Sequence, residues 1–343
     1  MNEYMGPDPV PARRARPWRV FAWFVFPAML CWGTMAIVCS NITPVLRSAA
    51  VGAFCTAALI SVFFPRRDGW KAGCFLFVFS LVLAWWLALS PGNDRDWQPD
   101  AATLSFAAVT GDIVTIHNIR NFDYRRENDY VVRHYDRTFD LRSLRSMDLF
   151  LVDWGLPHIA HTMLSFGFDG GEYVCFSIEV RKEKKERYSA IKGFFKQYEL
   201  MYVVAAERDV VRLRANYRKG EDVYLYRLKV PPELIRKILL DYLRTVNGLK
   251  ERPEWYNALT GNCTTGIWKH IAPQYPKAKF DWRLLASGHA DEMAYELGVL
   301  DRTFPFRELR RRSLINARSK AAGNRGRFSE LIRHGLPGFE EKP

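Results

Sequence analysis

Three apolar stretches, Val20 to Ser40, Leu46 to Phe64 and Trp70 to Leu89, constrain this chain more than any other feature. At about 1.5 Å of rise per residue, each is long enough as a helix to cross a hydrocarbon core of roughly 30 Å. A cleaved signal peptide has a shorter apolar region and no further spans behind it, so the three read as a retained anchor. Pro27, Gly33 and Gly73 are compatible with spans, where neighbouring helices satisfy freed backbone groups. Arg13, Arg14, Arg16 and Arg19 precede the first span, and Arg66, Arg67 and Lys71 lie between the second and third, whereas the first loop has only Arg47. The positive-inside rule then puts the N-terminus in the cytoplasm and everything after Ser90 outside it. In a Gram-negative bacterium that is an inner-membrane protein with a periplasmic domain.

The expected organisation is a cytoplasmic basic tail over 1–19, a three-helix membrane anchor over 20–90, a linker over 91–100, a soluble domain over 101–300 and a basic C-terminal tail over 301–343. The net charge of +13 concentrates in that tail, where ten Lys or Arg stand against Glu308 and Glu330 between Arg302 and Arg333. One reading is a solvated, partly disordered segment, with Gly323, Asn324 and Gly326 interrupting any helix. The other is a polybasic strip held against anionic headgroups, each residue contributing about 1 kcal/mol near such a surface. Nucleic acid is not an expected partner outside the cytoplasm.

Cysteine usage narrows the chemistry. Cys31, Cys39, Cys55 and Cys74 fall in the spans, and the soluble part keeps Cys175 and Cys263. Two cysteines are no disulfide framework, although an oxidising compartment can join them. No Cys/His spacing resembles a zinc site, and neither a metal nor an organic cofactor is expected.

Alternating apolar and polar residues predict strands at Asp112 to Ile119, Leu149 to Trp154, Ile159 to Phe168, Tyr173 to Arg181, Leu200 to Ala205, Val210 to Ala215 and Val223 to Leu228. Their close spacing favours a largely antiparallel sheet. Helical spacing follows: Pro231-Pro232 opens an amphipathic helix with Leu234, Ile235, Ile238, Leu239, Tyr242, Leu243 and Val246 on one face, and Asn247-Gly248 closes it. Shorter helices are expected from Asn262 or Cys263 to Ile271 and around Gly288 to Leu297. The fold class is α+β, strands first.

Asn262-Cys263-Thr264-Thr265 sets a thiol at a helix start, where backbone N–H groups and the helix dipole favour thiolate. Cys263 is either a nucleophile or a buried structural cysteine. The turn signal Phe168-Asp169-Gly170-Gly171 joins two strand patterns into a hairpin. Pairing about residue 170 sets His161 opposite Glu179, close enough for the carboxylate to orient the imidazole. A one-residue slip would separate them to opposite faces. His158 and His117 are the rival histidines, and Glu179 has the alternative of a surface ion pair with Arg181 or Lys182. Cys175 reads as packing.

His117-Asn118-Ile119-Arg120-Asn121-Phe122-Asp123-Tyr124, the His161 to Phe166 stretch, Ser177-Ile178-Glu179-Val180-Arg181, Glu199-Leu200-Met201-Tyr202-Val203, Glu207-Arg208-Asp209 and Asn262-Cys263-Thr264-Thr265 occur in an order that resembles the Lnb-type periplasmic domain, over roughly Thr103 to Ile271. The resemblance implies a papain-like, circularly permuted thiol fold in which His precedes Cys, similar to the lecithin:retinol acyltransferase group with its Asn-Cys signature. Some members of the family are lipoprotein N-acyltransferases, which move an acyl chain from phospholipid to a lipoprotein's amino terminus. Carried over, Cys263 matches the nucleophile, His161 the base and Glu179 the orienting acid.

The expectation is therefore a membrane-anchored thiol acyltransferase with membrane phospholipid as donor and a lipoprotein amine or similar acceptor. Trp255, Tyr256, Trp268 and Trp282 are candidates to face acyl chains, or are ordinary core aromatics. A cell-wall amidase or peptidase is the enzyme alternative, favoured by an exposed polar groove beside Cys263. An envelope scaffold with structural His and Cys is the non-enzymatic one, favoured by separated side chains.

Overall fold

The computed structural model describes residues 24–64, 67–156, 158–275, 280–324 and 326–339. The chain divides into two compact units, Met1–Ser90 and Pro91–Pro343. In the first, helices α1 (Phe26–Val38), α2 (Pro44–Phe63) and α3 (Asp68–Ala88) follow one another. Two are long and apolar enough to cross a membrane, Pro44–Phe63 and Gly69–Ala88, each of 20 residues. At 13 residues α1 falls short of the roughly 20 that a span needs. The expectation of three spans is thus corrected to two candidates among the described residues. The start of the first expected span and Arg13 to Arg19 lie outside those residues, as does Arg66.

The second unit is built on one sheet. Its strands are β1 (Phe106–Thr110), β2 (Ile113–Arg120), β5 (His134–Asp140), β6 (Leu144–Leu156), β7 (Ile159–Phe168), β8 (Glu172–Arg181), β9 (Glu199–Ala205) and β10 (Asp222–Arg227), while β3 (Asp123–Arg126) and β4 (Asp129–Val131) form a separate hairpin. The order is β1-β2-β9-β8-β7-β6-β10, with β5 also on β2. All pairings in the sheet are antiparallel except the single parallel step Arg120↔Ala205.

Period-2 alternation gives this sheet two apolar faces. Val174, Phe176 and Ile178 of β8 face α5 (Pro232–Glu251) and α6 (Cys263–Ile271), against Ile235, Ile238, Leu239, Tyr242 and Ile267. Cys175 of β8 and Met163 of β7 face the other way, toward Val210, Ile315, Phe328 and Ile332. Burying both faces explains why β6 to β9 read as near-continuous apolar runs. Asn247 does not close α5, which continues to Glu251. Its side chain instead accepts from Ala107 N at 2.8 Å and donates to Ala107 O at 2.7 Å, clamping the edge strand β1.

Two further expectations change. Val210 to Ala215 is not a strand: α4 (Glu207–Arg212) and a π-turn over Leu213–Tyr217 occupy it. Glu207 and Asp209 lie in the first helical turn, where carboxylates are favoured. Asp209 there accepts from Arg120 Nη2 at 2.9 Å and from Phe122 N at 2.7 Å.

The basic C-terminal segment is not a solvated tail. It folds as α8 (Phe306–Arg312), α9 (Asn316–Ala322) and α10 (Phe328–Arg333), with Ile315, Ala322, Phe328, Ile332 and Leu336 in the second core. Two of its arginines are tied to carboxylates elsewhere in this unit. Arg310 pairs with Asp153 at 2.6 Å and Asp291 at 3.2 Å, and buried Arg333 with Asp148 at 2.8 Å and Glu207 at 2.6 Å.

Candidate active site

The β7–β8 hairpin has the register expected from its turn, running from Phe168↔Glu172 to Met163↔Ser177, symmetric about Gly170. Gly170 and Gly171 make the turn at φ of 77° and 75°, the left-handed region that glycine occupies without cost. Beyond Met163↔Ser177 the two strands part. β7 continues on β6 as far as Ile159, and β8 continues on β9 as far as Arg181. The opening leaves donors of the β7 edge without a strand partner.

Cys263 meets that opening from the α5/α6 face. Asn262 caps its helix, the side-chain carbonyl accepting from Thr265 N at 2.8 Å while the amide donates to Ala258 O at 3.1 Å. Cys263 is thereby the first helical residue, with its N–H among those that find no intrahelical acceptor. Helix α6 sits close to the sheet because Gly266 lets it: a Cβ there would lie 2.5 Å from Ile178 Cδ1. Thr264 Oγ1 reaches Thr162 Oγ1 of β7 at 3.3 Å.

His161, Ser177 and Glu179 stand on the opposite face of the sheet and reach the thiol through the parting. His161 Nε2 is 2.7 Å from Ser177 Oγ and 3.2 Å from Glu179 Oε1. Ser177 Oγ donates to Glu179 Oε1 at 2.7 Å, so it accepts from His161 Nε2–H. That leaves Nδ1 as the ring nitrogen available to the Cys263 thiol, whose acidity His161 raises. Arg214 Nη2 donates to Glu179 at 2.9 Å from beyond α4.

Electrostatics follow from this arrangement. Burial pushes the Cys263 thiol up, but the His161 charge and hydrogen bond, with the Thr162 hydroxyl and N–H, outweigh it and bring the thiol down to about 6. For His161, burial and then Arg214 favour the neutral ring, yet Glu179 and Cys263 win and its pKa is raised. Glu179 is held well below the usual carboxylate range: burial opposes this, and His161 and Arg214 overcome it. The resting state is an imidazolium–thiolate pair with a carboxylate behind it.

The thiol opens on a cavity of about 420 Å³. Among the lining residues, Ile159, Tyr188, Phe194, Leu259 and Leu285 are each between 39% and 51% exposed, an apolar lip to a site whose floor is charged. Tyr256 also lines it, whereas Trp255, Trp268 and Trp282 do not. Cys175 is fully buried in the second core, its thiol pushed well up by that burial, and neither it nor Cys263 is in a disulfide. His117 stacks on Phe106 and bonds Asp136 at 2.7 Å, remote from this cluster in its contacts. His158 lines the cavity as a separate group.

Sequence reasoning missed Ser177 and Arg214. Ser177 had a signal, since it precedes Glu179 by two on the same strand face. Arg214 had none, because its placement depends on the helix that replaces an expected strand. Among the described residues no group of three or more His, Cys, Asp or Glu is arranged to hold a metal ion.

No curated protein and no solved structure matches the chain. Residues 131–288, which include His161, Glu179 and Cys263, match the family described as the Lnb N-terminal periplasmic domain, the one that the sequence resembles, and with the apolar N-terminal helices this match describes a membrane-associated envelope protein.

Proposed function

We propose that the protein is a thiol acyltransferase of the bacterial inner membrane, with its N-terminus cytoplasmic and its papain-like, permuted domain in the periplasm. Cys263 is the nucleophile, His161 the acid and base, and Glu179 the orienting group. The Cys263 thiolate attacks a phospholipid ester carbonyl, and its C–S bond forms as the carbonyl electrons move to oxygen. Cys263, at the helix start, and Thr162, whose N–H lies beside the thiol, offer that oxygen their N–H groups. Collapse breaks the ester C–O bond, and His161 gives its proton to the departing lysophospholipid. The acyl-thioester is then transferred to an amine, such as the amino terminus of a lipoprotein.

The observation that carries this reading is a thiolate–imidazolium pair on the floor of a cavity with a half-exposed apolar lip. A scaffold has no use for a thiol brought down to about 6. The apolar lip suits an acyl chain better than a polar glycan strand. Full-length protein in phospholipid vesicles with labelled acyl chains should take up label on Cys263 that hydroxylamine removes, detected by mass spectrometry of the Cys263 peptide. An unlabelled Cys263 under conditions of turnover, or a Cys263→Ser variant that retains full transfer, returns the residue to a structural role.

A further inference from the structure

A second pair of imidazoles stands at the same cavity. His158, between β6 and β7, has φ of 67°, a left-handed backbone that histidine adopts more readily than most residues but still at a cost. Gly288 holds it there: its N–H donates to His158 O at 3.2 Å, and a Cβ at 288 would lie 2.9 Å from the His158 carbonyl carbon. The neighbouring Ser287 accepts from Ala160 N at 2.9 Å and donates to Ala160 O at 2.6 Å, pinning this segment to β7. The result sets His158 Nδ1 2.6 Å from His289 Nε2, and His289 Nδ1 3.0 Å from Glu292 Oε2.

The protons in this chain can be placed. A carboxylate only accepts, so His289 Nδ1 carries a hydrogen, and in the neutral ring its Nε2 is an acceptor. His158 Nδ1 must then donate to it, which leaves His158 Nε2 with a free lone pair. The relay belongs to a residue that shares a cavity wall with Cys263. Trp282 flanks His289, and the other charged groups of that wall are Asp100, Arg120, Glu179, Lys182, Arg214 and Arg218.

Acyl transfer to an amine poses a proton problem that His161 cannot solve alone. An α-amino group has a pKa of about 7.7–8.0 and arrives mostly as ammonium at neutral pH. It must lose one proton before its lone pair exists and a second as the amide forms. His161, neutral once it has protonated the first leaving group, takes one and thereby regenerates the imidazolium–thiolate pair.

We infer that His158, oriented by His289 and Glu292, is the base that takes the first proton from the acceptor's ammonium group; this rests on the acyl-transfer reading above. The ammonium N–H breaks toward His158 Nε2, and the freed lone pair forms the N–C bond at the thioester carbonyl. The C–S bond then breaks with its electrons on sulfur, and the second N–H proton passes to His161. Exposed at the cavity mouth, His158 returns its proton to solvent.

The two half-reactions separate the possibilities. His158→Asn keeps a residue at ease with positive φ while removing the base, and Glu292→Gln removes the group that fixes the relay. With full-length protein in labelled phospholipid vesicles, both variants should form the Cys263 thioester at the wild-type rate. Transfer to a peptide with a free amino terminus should fall about 10-fold in His158→Asn at pH 6.5 and converge with wild type above about pH 8, where the amine sheds its own proton. Glu292→Gln should move the same way by less. A His158→Asn profile that parallels wild type at every pH overturns the assignment, as does loss of thioester formation itself in that variant. Failure of the wild type to form a thioester would overturn the acyl-transfer reading beneath it.

Discussion

The Ser177 hydroxyl donates to the Glu179 carboxylate at 2.7 Å, two residues along the same strand face. Because that proton is committed, Ser177 oxygen can only accept from His161, and it selects the tautomer that leaves Nδ1 for the thiol. Ser177→Ala should lower kcat about 10-fold with little change in KM, the size expected for a hydrogen bond to a charged group. It should also raise the pH midpoint for alkylation of Cys263, a readout that a packing defect alone would leave in place. Ser177→Thr, which keeps the hydroxyl, should recover part of both.

Thiol reactivity should follow the ion pair. Cys263 ionises at about 6, so alkylation by iodoacetamide should rise through that pH and not through the ordinary thiol range. Acylation should be bell-shaped: it is lost as pH falls and the thiolate protonates, and lost again as pH rises through the raised His161 value and the imidazolium disappears. Cys175 should stay unlabelled until the protein unfolds, and Cys175→Ser should leave activity near wild type. Labelling of both cysteines at equal rates in the folded protein would contradict the arrangement.

Helix α6 depends on one missing methyl group. Gly266→Ala forces its Cβ against Ile178 Cδ1 and should push the Cys263 helix from β8, costing about 1–3 kcal/mol and at least 10-fold in activity. Ile178→Val removes the offending carbon, so the double variant should regain much of the loss. Additive losses in a double-mutant cycle would show that the contact does not set the helix position.

Breaking the buried cluster around Arg333 should be severe. Arg333→Met leaves Glu207 charged and without its ion pair inside the second core, and leaves Asp148 with Arg227 alone, an effect of about 3–5 kcal/mol, measurable as a fall in denaturation midpoint. Burial raises the Glu207 pKa, but Arg333 outweighs it and the folded value is depressed. Its stabilisation is therefore present above the unfolded carboxylate value and lost as pH falls through the folded one. The wild type should lose stability across that acid window, and Arg333→Met should lose less there because less remains.

Much of the second unit was legible because its apolar patterns are strong. The β7–β8 turn fixed its own register through two adjacent glycines, and with it the approach of His161 to Glu179. Asn262-Cys263 announced a capped helix. The Val210 region misled because its alternation mimics a strand, while the deciding contact, Asp209 with Arg120, links residues 89 apart. The basic segment misled for a related reason: sequence counts ten cations, but two of them, Arg310 and Arg333, find their carboxylate partners far off in β6, α4 and α7 (Ala290–Glu296). Asn247-Gly248 resembled a helix stop because the edge strand that occupies Asn247 is 140 residues away.

The span between Asp148 and Arg333 also has a duration. Their contact joins residues 185 apart, and at a synthesis rate of about 5–20 residues per second the acid emerges roughly 10–40 seconds before its base. For the first part of that interval β6, next to the edge strand β10, carries a carboxylate destined for a dry interior; Arg227, 79 residues on, is its first partner, and Arg333 completes the pairing. Assembly of the second core is therefore timed by the arrival of α10, and the reactive thiol, already made, waits in an unfinished sheet where its neighbours have not settled.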